Sequence, residues 1–250
     1  MNHQYHNSVF LLLLAMLYFE GIHSQYVLMQ HVLQWPPTFC QEKECKPNLS
    51  ERFSIHGLWP ANSSESMKCE CPSKPSERNK VNALMRNNLN LNKQLQIIWP
   101  NLIAGASDVQ FWQYEWIKHG YCNQNIIPMI QYFQAAVRVS RMMTNLIDYM
   151  DAPGGVHPSN HTSYSESHIR QSIFNLVGPN IDVFLSCMVN STGYVLLKEV
   201  YPCLDRTVTH FITCSGPVKS NLCGGTIYFI QLFSLLGSLV FVRVLKKIQL

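Results

Sequence analysis

The sequence predicts an α+β domain, and three observations carry that reading. Short β-favouring runs and longer amphipathic runs follow one another without the regular strand–helix–strand alternation of a parallel sheet. No segment repeats itself. Nine cysteines are scattered through 250 residues at spacings that suit cross-links better than metal knuckles. Without its two apolar ends the chain keeps about 200 residues, enough for one sizeable core.

Taken in order, residues 25–34 (QYVLMQHVLQ) favour a first strand, broken by Trp35-Pro36-Pro37. Residues 52–55 make a second, short strand with His56 at its end. Residues 61–80 are rich in Ser, Lys, Glu and Pro with no apolar period, which reads as an exposed loop. Residues 81–99 carry Leu84, Leu91, Leu95 and Ile98 at helical spacing. A loop over 101–108 follows, with Asp108 placed to cap the next helix. Gly120 is where that helix is expected to stop. Residues 126–149 read as one long helix with Met129, Phe133, Val137 and Leu146 near one face, ended by Pro153-Gly154-Gly155. Residues 165–177 form another helix, and residues 181–186 and 194–200 form strands.

The two ends differ from the middle. Residues 1–24 read as a secretory signal, because the apolar run 8–19 is too short to span a bilayer and polar alternation starts at Gln25. Its start holds His3 and His6 but no Lys or Arg, so an uncleaved N-terminal anchor is the alternative. Residues 25–225 are expected to form the folded domain. Residues 226–242 (TIYFIQLFSLLGSLVFV) are uncharged and are followed by Arg243, Lys246 and Lys247. As a helix that run spans about 25 Å, slightly under the ~30 Å hydrocarbon core, and its basic finish favours an inward C-terminus. Three readings stay open: a membrane anchor, a tail removed in processing, and a segment packed on the domain or a mis-predicted gene end.

Charge and cysteine usage narrow the function. The formal charge is +4, and without Glu20, Arg243, Lys246 and Lys247 residues 25–225 carry only +2. That excludes a polybasic nucleic-acid clamp, so any such affinity must come from a local site. Four glycosylation acceptors, at Asn48, Asn62, Asn160 and Asn190, join the cysteines in pointing to an oxidising, extracellular setting. Cys69-Glu70-Cys71 has too short a spacing for a zinc knuckle, and no metal or cofactor is expected.

Two segments carry chemistry. The first is Phe111-Trp112-Gln113-Tyr114-Glu115-Trp116-Ile117-Lys118-His119-Gly120-Tyr121-Cys122. In a helix, Glu115, Lys118 and His119 share one face, which gathers a carboxylate, an ammonium and an imidazole. Alone, this segment is also explained by an amphipathic core helix with a surface ion pair. The second, Phe53-Ser54-Ile55-His56-Gly57-Leu58-Trp59-Pro60, adds another histidine. Two imidazoles near their ordinary pKa can serve as acid and base without a metal.

The pair resembles the two active-site segments of the T2 family of secreted ribonucleases, in the same order and at a similar separation. Gln34-Trp35-Pro36-Pro37 and Trp99-Pro100-Asn101 also match, so the likeness covers residues 26–223. It implies a central antiparallel sheet packed with helices and stapled by Cys40–Cys45, Cys69–Cys122, Cys187–Cys223 and Cys203–Cys214. That pairing leaves Cys71 over, as a competitor of Cys69 for Cys122. The resemblance also implies single-stranded RNA as substrate, cut through a 2′,3′-cyclic phosphate. His119 would be the general base, His56 the general acid, Lys118 the phosphoryl-neutralising charge and Glu115 the group that orients or polarises. Gln34, Asn101 and Phe111 fall where relatives hold a base, and Trp59 either stacks on substrate or closes the core. All of these base-side residues also admit a structural role.

Tyr114 departs from the family, many of whose members have a phosphate-binding histidine there. The departure is similar to plant self-incompatibility ribonucleases (S-RNases), in which residues 61–80 would fall in the hypervariable part. It implies a secreted monomeric style cytotoxin with F-box proteins of pollen as partners. A ribonuclease for phosphate recovery or defence, and an idle glycoprotein ligand, are the alternatives.

Overall fold

In a computed structural model, the described residues are 26–62, 65–214 and 223–232. The expected signal and residues 233–250 lie outside them. Nine strands among these residues form one curled sheet in the order β3-β2-β1-β6-β9-β4, with β5 on β6 and β7 joining β1 to β8. β1 (Leu28–Gln34), β2 (Ser54–Asn62), β5 (Phe184–Val189) and β6 (Val195–Tyr201) make its centre. β3 (Glu65–Ser66), β4 (Ser163–Ser165), β7 (Cys203–Leu204), β8 (Phe211–Ile212) and β9 (Thr226–Tyr228) complete it. The helices are α1 (Pro36–Phe39), α2 (Lys74–Asn87), α3 (Leu89–Ile98), α4 (Asp108–Glu115), α5 (Met129–Met142), α6 (Leu146–Gly154) and α7 (Glu166–Val177). The α+β expectation holds.

Several boundaries move. β2 runs through His56 instead of ending before it, because it pairs with β1 along its whole length. Residues 74–80 belong to α2, not to a loop. Pro75 sits in its first turn, where a missing N–H costs nothing, and the few buried residues Glu77, Val81 and Met85 anchor a mostly polar helix. Asn88 separates α2 from α3, its side chain donating to the Leu84 carbonyl. Ser107, not Asp108, is the N-cap of α4. Asp108 instead accepts from the Asn101 amide and the Lys46 ammonium. The long helix expected over 126–149 is broken at residues 143–145 into α5 and α6. α6 does end at Gly155, whose φ of 62° suits a residue without a Cβ. Ser165 caps α7 by accepting from the His168 amide.

The core lies between sheet and helices, and its largest pieces are tryptophans. Trp35, Trp99, Trp112 and Trp116 are fully buried, so each indole N–H needs a partner. They donate to the Ile230, His56 and Trp99 carbonyls and to Glu77, respectively. These bonds tie α4 to α2, α4 to the end of α3, and α3 to β2. Four disulfides, Cys40–Cys45, Cys69–Cys122, Cys187–Cys223 and Cys203–Cys214, staple the domain, and Cys71 is a buried free thiol.

The apolar run that begins at residue 226 is not one membrane helix. Its first part is β9, antiparallel to β4 and parallel to β6. Phe229 is buried against Trp35, with ring centroids 4.6 Å apart, and Leu232 donates to Glu51. The domain therefore extends past residue 225, and only residues 233–242 of the uncharged run lie outside the description. Among the described residues no helix is long and apolar enough to cross a membrane.

Candidate active site

Two β-bulges build the floor of the site. Val32 opposes Gly57 and Leu33 opposes Ile55, which makes His56 an extra residue in β2. An extra residue leaves the in–out alternation and its side chain is re-aimed. The Trp99 indole, 2.9 Å from the His56 carbonyl, holds that backbone, and Tyr132 holds the Leu58 carbonyl at 3.0 Å. In β6, Ser186 opposes Glu199 but Cys187 opposes Leu197, so Lys198 is extra there. Leu197 and Glu199, two apart, thereby fall on opposite faces of the sheet. Leu197 enters the core. Glu199 joins Gln34 and Ser186, its cross-strand neighbours, and Ser54 beyond Gln34 in a buried polar row over β2, β1, β6 and β5.

His56 meets the end of this row. Its Nδ1 lies 2.6 Å from Glu199 Oε1, and Glu199 Oε2 accepts from the Tyr201 hydroxyl at 2.5 Å. Nothing in the sequence reading picked out Glu199 or Tyr201. The available signal was a carboxylate inside a strand of mainly apolar residues, VLLKEVY, where burial would require a partner for it.

The other half comes from α4 and the chain beyond it. The helix does not stop at Gly120: a π turn over Trp116–Gly120 and a 3₁₀ turn over Tyr121–Asn123 continue it. Gly120 is ordinary in backbone conformation. It is glycine because a Cβ there would overlap the Trp116 ring. The wider π turn buries both Glu115 and His119. Glu115 Oε2 accepts from the Trp59 indole at 2.7 Å, and among the described residues Oε1 has no hydrogen-bond partner. His119 Nδ1 lies 2.9 Å from the Met67 carbonyl. A carbonyl only accepts, so Nδ1 carries the proton and Nε2 keeps the lone pair of a neutral ring. Cys69–Cys122 positions that loop, and the Cys69 amide donates to the Lys118 carbonyl. Cys69, not Cys71, takes Cys122.

Trp59 joins the halves. It stacks on His119 with centroids 4.7 Å apart and meets His56 edge-on at 4.9 Å. Phe111 lies 6.0 Å from His56. Lys118 Nζ lies 4.8 Å over the ring of Tyr114, which is 53% exposed, and its charge acts on both Glu115 and His119. Gln34 is buried in the polar row and donates to the Ile55 carbonyl. Asn101 spends its side chain on its own loop, through Ser107 and Ile103. The structure therefore gathers His56, Trp59, Phe111, Glu115 and His119, with Lys118 and Tyr114 at the rim. It does not open Gln34 to a ligand.

The electrostatics split the two histidines. Burial lowers the His119 pKa to about 3 despite the Met67 carbonyl, and the charges of Lys118 and His56 add to the fall. Burial also works against the His56 imidazolium, but the hydrogen bond and charge of Glu199, with Glu115 behind it, raise the His56 pKa overall. Burial would raise the Glu199 pKa, yet His56, Tyr201 and Lys198 hold it below the ordinary carboxylate value. Burial raises that of Glu115, with His56, Trp59 and Lys118 opposing. Two groups of one kind, pushed apart, can act as base and acid. Among the described residues no cluster of His, Cys, Asp and Glu could hold a metal ion.

Comparison with known proteins places this geometry. The chain is 33% identical to ribonuclease 1 of Arabidopsis thaliana over 206 residues, covering 79% of this chain and 84% of that protein. It is 28% identical to ribonuclease S-1 of Pyrus pyrifolia over 200 residues, covering 78% and 84%. A mutant of RNase MC1, the bitter gourd seed enzyme, in complex with 5′-GMP superposes with a TM-score of 0.68 at 28% identity, over 82% of this chain and all of that one. The Ribonuclease T2 family model matches residues 26–214. With its curled sheet, four disulfides and paired histidine segments, this chain belongs to the ribonuclease T2 family and is a ribonuclease.

Proposed function

We propose that the protein is an endoribonuclease that cleaves single-stranded RNA by attack of its own 2′-OH. The observation that carries this is the opposite bias of His119 and His56 on either side of Trp59. His119 Nε2 takes the 2′-OH proton, the 2′-oxygen attacks phosphorus, and the His56 imidazolium gives a proton to the departing 5′-oxygen. The product is a 2′,3′-cyclic phosphate, and water can open it with the two roles exchanged. Lys118 offers the mobile positive charge for the phosphoryl oxygens, and Glu115 fixes Trp59 over His119. Phe111 supplies a stacking face for a base. No step needs a metal.

RNA digestion by the intact protein in EDTA, with product analysis, tests this. A cyclic phosphate is expected, and both His56→Ala and His119→Ala should lose ~10²–10⁴-fold in kcat. Wild-type rates in the double variant would reject the site, and an inactive parent would favour the idle-ligand reading.

The finer role proposed is that of a secreted, glycosylated S-RNase, and Tyr114 is the residue that favours it. Tyrosine is neutral near pH 7 and cannot supply the phosphate-binding charge that many relatives place there. Likeness to both ribonuclease 1 and ribonuclease S-1 keeps a general plant ribonuclease as the second reading. Expression confined to styles, with many alleles, would separate them.

A further inference from the structure

We propose that Glu199 is a positioning residue for the acid: its carboxylate clamps His56 Nδ1–H, so that Nε2 faces the leaving oxygen and carries a proton. This deepens the reading of His56 as general acid and rests on it. Glu199 cannot swing away. It sits in the middle of the sheet, paired with Ser186 on one side and Gln34 on the other. Its second oxygen is held by Tyr201, and the Lys198 bulge alone brings it to the His56 face. A buried carboxylate costs several kcal/mol unless paired, and among the described residues its ion partner is His56. A surface ion pair with no catalytic meaning would need neither two bulges nor a second clamp on the carboxylate.

The groups facing His56 come from four elements. β6 supplies Glu199, Lys198 and Tyr201, and β2 supplies Trp59. α4 supplies Glu115 and Phe111, and the π turn supplies His119. Of these, Glu199 and Glu115 favour the charged ring and Lys198 opposes it. Because Glu199 raises the pKa of His56, it keeps the acid protonated to higher pH. Its charge should therefore set the alkaline limb of activity, while the acid limb belongs to His119.

The test is the pH profile of kcat/KM on a dinucleotide substrate for Glu199→Gln, which can keep the hydrogen bond but loses the charge. The alkaline limb should move down by about one unit or more, so that activity at pH 8 falls about tenfold while activity near pH 5 stays within a few-fold. NMR titration of His56 should shift by the same amount. Glu199→Asp, which keeps the charge but draws it back from His56 by one methylene, should give a smaller shift of the same sign, and serves if Glu199→Gln fails to fold. An equal loss at all pH values, or an unmoved limb in either folded variant, would mean a structural role only and overturn the proposal. If instead His56→Ala keeps wild-type activity, the acid assignment itself is wrong, which is a different result.

Discussion

Gly57→Ala tests how the site is packed. Gly57 has no left-handed φ, so its backbone would tolerate any residue. Space forbids one: a Cβ there would overlap Trp59 Nε1 and Glu115 Oε2, with Trp59 Cδ1 at 2.8 Å. The methyl must break the Trp59–Glu115 bond, whose carboxylate already has one oxygen without a partner among the described residues. Losing a hydrogen bond to a buried charged group costs about 1.5–3 kcal/mol, and forcing a methyl into a filled site costs about 1–3. Together they set an expected loss of roughly 3–5 kcal/mol in urea unfolding at pH 7. Trp59 also carries the stacking on His119, and a displacement near 1 Å costs about 10²-fold in rate. Trp59→Phe removes the indole donor, so Gly57→Ala made on that background should cost measurably less than on the wild type. A Gly57→Ala protein within about 0.5 kcal/mol and twofold of wild type would refute the close approach. Strict additivity of the two changes would refute the shared bond.

Further outcomes follow from other parts of the structure. His31 is fully buried, with no hydrogen-bond partner on either ring nitrogen among the described residues, and burial lowers its pKa from 6.5 to about 3. Its contribution is complete above pH 6.5 and declines as the pH falls toward 3, because only the unfolded chain takes up the proton there. His31→Met should therefore lose about 2 kcal/mol less than wild type between pH 7 and pH 5, and an identical pH dependence would contradict this. Cys69→Ser with Cys122→Ser, which opens a bridge spanning a sequence separation of 53, should cost about 4 kcal/mol and lower kcat by loosening Met67 from His119. A protein ended after Leu232 should fold and cut RNA like the full chain, whereas one ended after Gly225 loses β9 and Phe229 and about 3–5 kcal/mol or more. Equal melting of the two would return those residues to the tail. Tyr114→His should raise kcat/KM several-fold at pH 5 and not at pH 8, with Lys118 nearby limiting the gain. No gain at pH 5 would mean that the tyrosine already serves.

Much of this protein was legible in its residues, because local chemistry determined it. Ser165 before an apolar period made α7, Gly155 ended α6, and the run from Leu28 to Gln34 was a strand. The two histidine segments pointed to their chemistry because acid–base cleavage of RNA needs those side chains. Other features come only from pairing distant parts of the chain. His56 and Lys198 are bulge residues because β1 and β5 impose a register that neither β2 nor β6 carries alone. Residues 74–80 of α2 read as loop, since a polar stretch becomes helix only when the π turn after α4 brings Trp116 to Glu77. For residues 226–230 the sequence left an anchor and a packed segment both open, because hydropathy cannot tell lipid from the space between β6, β4 and Trp35. Glu199 is the clearest case. As a residue type it is an ordinary charge, and only the sheet, by burying it between His56 and the Tyr201 hydroxyl, turns that carboxylate into a clamp on the histidine.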